Sequence, residues 1–386
     1  MVKCRICSGE NTRLMYDFGL VPKSGFFLKN IEDSYPRETL RFHYCLNCAG
    51  VFRENSDSKM PDYSHVDRST ARQMPEYLDE VLFGMGLNKD EFIVEVGSND
   101  GDLMRRLKFQ GATNILGIEP SKMLAQRCQE NDLRVECTHL DYSSAKIIVE
   151  KYGRADVVVC RHTLEHVPNP KEFLLSINLI LKDSGKLFLE VPSLAPIIDD
   201  RLNGHEFWDE HLSYFSEETL WNLMIQAGFK IQAIESKGHL DSENILCWAI
   251  KTSKADSRET VNIDVVLKGS EDFSRRWDSF KSKVLKMAQD WPQPIIGIGG
   301  SHPQSNFFNF LRLSDLVSGV IDDDSWKRGK YIPAKPPIRI GSIDEVVHPN
   351  SSGTLLLTGF GYPSWENKII SNELMSKYMI VNFSEI

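Results

Sequence analysis

The chain lacks any apolar run approaching the ~18 residues of a membrane span, so no membrane-spanning helix is expected. Its start, Met1-Val2-Lys3-Cys4, lacks the apolar centre of a secretory leader, so no export signal is expected. A long basic run is also missing and the net charge is −9, which disfavours a nucleic acid polymer as partner. No fixed-period repeat shows. The composition is not that of a disordered chain either, since 41% of residues are hydrophobic and 26% charged. At 386 residues it has room for two or three domains. A cytoplasmic location is the expectation. There, eight cysteines argue against a disulfide framework and for metal ligation or burial.

Four of those cysteines stand close to the start, as Cys4-Arg5-Ile6-Cys7 and Cys45-Leu46-Asn47-Cys48. Paired C-x-x-C knuckles suit one tetrahedral Zn²⁺ held by four thiolates. Four thiolates leave no open position, so such a zinc is structural rather than catalytic. A redox pair or four buried thiols are the competing readings. Gly9, Gly19, Gly25 and Gly50, with Tyr16, Phe18, Phe26, Phe27, Phe42 and Tyr44, predict short strands in the long gap between the knuckles. Residues 61–65 read as a loop. Tyr63 and His65 there are either plain surface residues or part of a lid, because the segment enters the next domain before its first strand. Ala71 to Phe83 has near-helical apolar spacing.

From Glu91 the pattern becomes β-α-β-α. Phe92-Ile93-Val94 runs into Glu95-Val96-Gly97-Ser98-Asn99-Asp100-Gly101, and a helix follows from Asp102. This is a strand, a glycine corner and a helix start. Such a corner lets backbone approach a ligand and presents free N–H donors. The spacing is G-x-x-x-G, not the G-x-G-x-x-G of dinucleotide enzymes. The second strand, Asn114 to Glu119, ends in an acid about 20 residues on, where such folds hold a carboxylate for the ribose hydroxyls. Pro120-Ser121 opens the next helix. A third strand falls at Val135-Glu136-Cys137, with Asp141 beyond it. The almost wholly apolar Ala155 to Cys160 reads as a central parallel strand. It delivers Arg161, His162 and His166 to the carboxyl edge, where ligands bind. For His166 a packed histidine beside the Pro168 turn is an equal reading. Gly185–Pro192, Phe229–Glu235 and an antiparallel Ile245–Lys251 complete the sheet.

Phe207-Trp208-Asp209-Glu210-His211-Leu212-Ser213-Tyr214-Phe215-Ser216 forms a second dense stretch. Ser216 looks like a helix N-cap, with Glu217 and Glu218 in the first turn. A loop there can supply a general base and its orienter, or simply cap the helix. After a polar linker at 252–260, a helix from Ser270 to Asp290 is predicted, then a glycine corner at Gly297–Gly300 and strands near 319–324, 354–359 and 379–382. Residues 253–386 thus read as a second α/β domain. Its corner is compatible with a phosphate or with a plain strand-to-helix turn.

Together these stretches resemble the S-adenosylmethionine-dependent sugar C-methyltransferases of deoxysugar biosynthesis. The resemblance covers nearly the full length. It rests on the knuckles with Phe18-Gly19-Leu20-Val21-Pro22 between them, on Glu95–Gly101, and on Glu210-His211-Leu212-Ser213-Tyr214-Phe215-Ser216. It implies an α/β fold: a class I methyltransferase (Rossmann-like) core over 61–252, a small N-terminal zinc-binding domain over 1–60, and a C-terminal Rossmann-like domain over 253–386. The implied cofactor set is Glu95, Gly97, Asn99, Gly101, Glu119, Pro120, Asp141, Arg161 and His162, with Asp141 near the adenine or else a helix N-cap. Cys4, Cys7, Cys45 and Cys48 are the implied zinc ligands.

The implied chemistry is methylation of carbon beside a ketone in a nucleotide-linked keto-sugar. His211 inherits the role of base and Glu210 that of its neighbour; His166, Tyr214 and Tyr63 complete the catalytic candidates. Four features depart from the family, one of them Gly359-Phe360-Gly361-Tyr362-Pro363 in place of the apolar strand exit. Trp208 stands where a Tyr is usual, and Tyr63 and Tyr214 are the candidates to replace it. Asp209 stands where His is common. The Lys of the C-terminal glycine loop is missing, so phosphate contacts inferred from it do not carry over. The competing functions are O- or N-methylation of another acceptor, and a non-catalytic zinc-stabilised binding protein.

Overall fold

The computed structural model of the chain describes residues 2–54, 90–199, 207–239, 242–252, 262–300, 302–348, 351–357 and most of 365–383, with Arg201. Tyr63 and the helix expected over 71–83 lie outside the described residues, as does most of the polar linker.

The N-terminal segment forms a hairpin of β1 (Thr12–Pro22) and β2 (Arg37–Cys45), then the short β3 (Val51–Arg53). The expected short strands are therefore two long ones and a stub. β2 alternates, with Leu40, Phe42 and Tyr44 turned inward.

The central sheet begins with β4 (Phe92–Val96), β5 (Asn114–Ile118), β6 (Val135–Glu136), β7 (Ala155–Arg161) and β8 (Leu181–Pro192). Between them lie α1 (Asp102–Phe109), α2 (Lys122–Glu130), α3 (Tyr142–Tyr152) and α4 (Pro170–Ile180). β4 is buried throughout, because helices cover both faces of a parallel sheet. A four-residue helix, α5 (Ala195–Ile198), follows β8. The next strand, β9 (Ser213–Tyr214), leaves this sheet and pairs with β3. Then come α6 (Glu217–Gln226), β10 (Phe229–His239) and β11 (Ser242–Lys251). The seven strands run β10-β11-β8-β7-β4-β5-β6, with β11 antiparallel to both neighbours as expected. β4 pairs with β5 on one side and β7 on the other, so the chain reverses direction there and a crevice opens at their carboxyl ends.

The third sheet follows α7 (Asp264–Met287), which starts six residues before the expected Ser270 because Val266 is also buried. It comprises β12 (Ile295–Ile298), then α8 (His302–Leu311), β13 (Val317–Ile321), β14 (Tyr331–Ile332), β15 (Ile338–Gly341), α9 (Ile343–Val346), β16 (Thr354–Leu357) and β17 (Met379–Asn382). The order β14-β15-β13-β12-β16-β17 is parallel except for the β14–β15 pair.

The sheets share cores. Phe18 of β1 stacks on Phe310 of α8 at 4.1 Å between ring centroids, and Tyr16 donates a 2.6 Å hydrogen bond to Asp278 of α7. Phe42 of β2 packs on Phe207 at 4.5 Å. Aromatic burial of this kind is what fixes the first and third sheets against the segment from Phe207 to Tyr214.

Candidate active site

The four knuckle cysteines converge. Sγ of Cys4 lies 3.8 Å from that of Cys48, and Sγ of Cys7 lies 3.6 Å from that of Cys45. Four sulfurs at ~2.3 Å from a tetrahedral centre stand about 3.8 Å apart, so these residues fit one divalent ion. The Asn47 N–H points at the Cys45 sulfur at 3.4 Å, as knuckle backbones do for thiolates.

The glycine corner and β5 build a cavity. Gly97 has φ +77, and a Cβ there would lie 2.1 Å from Thr163 Oγ1. Its N–H and that of Ser98 both donate to the Ile118 carbonyl, at 2.9 and 3.2 Å. Gly101, φ +83, is the N-cap of α1. Glu119 accepts from the Asn99 N–H at 2.9 Å and from the Ser121 N–H at 2.8 Å. These bonds aim its carboxylate along the corner. Gly97, Asn99, Glu119, Pro120, His162 and His166, with Thr138, His139, Leu140 and Thr163, line one cavity. Five of the nine expected cofactor residues therefore meet there.

The other four differ. Glu95, buried on β4, has one oxygen, Oε2, with no hydrogen-bond partner among the described residues. Burial pushes its carboxyl up to about 8, against the pull of Arg161. Gly101 supports the corner from behind. Arg161 is turned to Glu190, which it meets through Nε. Asp141 follows the second of its two readings: it is the exposed N-cap of α3, accepting from the Ser144 N–H at 2.8 Å, while Thr138, His139 and Leu140 line the cavity. The local reason is the capping box it forms with Ser144.

Beneath the cavity runs a set of acids that the sequence reading passed over. Glu190 is fully buried on β8. Burial opposes its ionisation, but His162 and Arg161 outweigh it and hold the carboxyl below its ordinary range. His162, with left-handed backbone at φ +47, reaches Glu190 at 3.3 Å and Glu165 at 3.6 Å. A signal was available: Glu95, Glu119 and Glu190 each interrupt or end an apolar strand of a buried sheet.

The loop before α6 forms the far side. His211 is buried, with its ring centroid 4.8 Å from His166, 4.9 Å from Trp208 and 5.6 Å from Tyr214. His166 Nδ1 lies 3.0 Å from the Glu210 carbonyl oxygen. His166 thus walls the cavity on one side and touches His211 on the other. The Tyr214 hydroxyl accepts from the Trp208 N–H at 2.9 Å and donates to the Trp208 carbonyl at 3.1 Å, bracing the loop. Ser216 caps α6 as expected, accepting from the Thr219 N–H.

The two unusual loop residues act together. The Trp208 indole N–H donates to Ser24 Oγ at 2.7 Å, and Asp209 accepts from the Ser24 N–H at 3.0 Å. Asp209 also accepts from the Asn306 side-chain amide of α8 at 2.9 Å, and its carbonyl receives Arg53. One buried carboxylate therefore ties the loop to both flanking sheets. In the C-terminal glycine corner, the Gly300 N–H donates to Asp322 at 2.7 Å and Lys327 pairs with the same carboxylate at 3.0 Å. The chain's own acid, rather than a phosphate, occupies that donor.

Residues 67–234 match a family model described as a methyltransferase domain. A C-methyltransferase NovU of Streptomyces niveus is 25% identical over 239 residues, covering 59% of this chain and 56% of its own length. A ubiquinone biosynthesis O-methyltransferase of Coxiella burnetii is 28% identical over 102 residues, covering 26% of this chain and 43% of its own length. The chain therefore spans about half the length of these relatives. A magnesium protoporphyrin IX methyltransferase of Synechocystis, solved with bound SAM, aligns over 46% of this chain and 77% of its own at 15% identity and a TM-score of 0.35. The matched residues span β4 to α6 of a Rossmann-like α/β core.

Proposed function

We propose that the chain is an S-adenosylmethionine-dependent methyltransferase that methylates carbon beside the ketone of a nucleotide-linked keto-sugar, with domains at 1–60, 61–252 and 253–386. The carrying observation is His166, which walls the cavity under the glycine corner and packs on His211. A base on the acceptor loop then stands one ring away from the methyl-donor pocket.

S-adenosylmethionine supplies a methyl already activated on a sulfonium. Glu119 fits the ribose hydroxyls, and the positive-φ Gly97 lets the protein backbone approach the ligand closely. The orphaned Glu95 Oε2 fits a cationic donor. His211 takes the proton from the carbon α to the ketone; the electron pair of that C–H bond forms the enolate. The new C–C bond forms as the S–C bond breaks, leaving S-adenosylhomocysteine and a protonated His211. Trp208, Tyr214 and Asp209 hold the loop in register, which is where positioning contributes most to such a step. Cys4, Cys7, Cys45 and Cys48 would hold a structural zinc beside β3, whose partner β9 carries Tyr214. Glu210 contributes its carbonyl to His166.

The test is exchange of the α-proton into deuterated water with thymidine- or guanosine-linked keto-sugars, without donor. Exchange that disappears in His211→Gln, with S-adenosylhomocysteine affinity unchanged, is the expected result. Methyl transfer without exchange would point to O- or N-methylation. Failure to bind S-adenosylhomocysteine at millimolar concentration would refute the enzymatic reading.

A further inference from the structure

His166 has a partner at each ring nitrogen. Nδ1 meets the Glu210 carbonyl oxygen at 3.0 Å; a carbonyl only accepts, so Nδ1 carries a hydrogen. Nε2 then faces Oε1 of Glu165 at 3.9 Å. Glu165 is 1% exposed, and neither of its oxygens has a hydrogen-bond partner among the described residues. A neutral Nε2 would aim a lone pair at a buried carboxylate, leaving two acceptors face to face in a medium that screens poorly. A proton on Nε2 turns that repulsion into an ion pair and gives the carboxylate a donor. The 3.9 Å gap closes with a small movement of either side chain.

We propose that Glu165 is a positioning residue that holds His166 as an imidazolium, and that this charge keeps the adjacent His211 a neutral base. The second half rests on the reading of His211 given above. The two rings stand 4.8 Å apart, so a charge on His166 opposes a second on His211. Both rings are buried, so solvent screens that repulsion poorly. The ionisable groups facing His166 are Glu165 on its own turn, His162 at the end of β7, Glu210 and His211 on the loop, and Glu119 and His139, which line the same cavity. His162 shares this carboxylate, its Nδ1 lying 3.6 Å from the same Oε1 while its Nε2 is turned to Glu190 at 3.3 Å, so Glu165 faces two rings, of which His166 is the one that stands beside His211.

The charge is read directly on the full chain, labelled with 15N at histidine, by two-bond proton–nitrogen correlation, with the His166 signals assigned by their loss in His166→Gln. The expected result is an imidazolium pattern for His166 at pH 7.5 that reverts to a neutral ring in Glu165→Gln. A neutral His166 in the wild-type protein at that pH overturns the proposal, whether the proton resides on Glu165 or a metal ion bridges the two. Should Glu165→Gln not fold, the wild-type spectrum still decides. Kinetics test the link to His211: the acid limb of kcat/KM should move up by about one pH unit or more in Glu165→Gln, with S-adenosylhomocysteine affinity unchanged. A limb that stays in place overturns the link. The spectrum needs no turnover, so failure of the charge assignment and failure of the methyltransferase reading are told apart.

Discussion

Glu95→Gln replaces a buried carboxyl by an amide of nearly the same shape. In the fold this carboxyl is 6% exposed, and burial pushes it up to about 8 from 4.5, with Glu119 adding to the rise and Arg161 opposing it. Burial wins because the Arg161 guanidinium is already engaged with Glu190. In the unfolded chain the carboxyl ionises near its ordinary value. Between about pH 4.5 and 8 the folded state therefore keeps a proton that the unfolded state has lost, and stability falls as pH rises through that window. At pH 7, about 2.5 pH units above the unfolded value, the loss is on the order of 3 kcal/mol. The Gln variant carries no such liability. It should match the wild type near pH 4 and exceed it by up to about 3 kcal/mol at pH 7, roughly 4 °C in melting temperature for a chain of this length. Scanning calorimetry of both proteins from pH 4 to pH 8 measures this, and only the difference between them matters, since all other titrating groups are shared. Equal melting temperatures across the range would falsify the reasoning, because the carboxyl would then be ionised in the fold. Donor binding gives a second readout: a cationic ligand beside Glu95 favours its ionised form, so binding at pH 7 should release a proton from the wild type and none from the variant. Titration calorimetry in buffers of different ionisation heat detects that proton.

Three further outcomes follow from the geometry. Gly97→Ala places a Cβ 2.1 Å from Thr163 Oγ1 at a backbone angle that alanine resists, so S-adenosylhomocysteine affinity should weaken by about tenfold or more in calorimetric titration. Asp209→Ala strands the Ser24 N–H and the Asn306 amide, so it should cost about 3 kcal/mol and lower kcat while leaving donor affinity in place; a melting temperature equal to the wild type would contradict the junction. Cys48→Ser should take zinc content from one ion per chain to none and lower the melting temperature sharply, because structural zinc binding contributes ~10 kcal/mol or more to folding; zinc analysis on freshly purified protein checks it.

Much of this was legible in residue order. Local rules act over a few residues, so the apolar strands of the central sheet, the glycine corner, Glu119 after β5 and the Ser216 cap all fell where patterning put them. Two C-x-x-C pairs likewise announce their convergence, since a knuckle is a local shape. Short range also explains what stayed open or unread. Asp141 carries the same residue type as a binding acid, and only its capping box with Ser144 decides between the two. β14 and β15 are two and four residues long and leave no period to read.

The sequence by itself determined the side under the glycine corner: a parallel sheet whose strand ends, by their order in the chain, must bring that corner, Glu119 and His162 to one crevice. Tertiary structure alone decided the side built around His211. Asp209 binds Ser24 and Asn306, residues 185 and 97 positions away. β9 leaves its own sheet to extend that of β3. Glu165 and His211 meet around His166 only because the loop folds back onto the turn after β7, where the Leu212 N–H donates to the Glu165 carbonyl at 2.7 Å. Contacts of that kind have no spacing to announce them, because what joins the residues is burial in a common core rather than proximity along the chain.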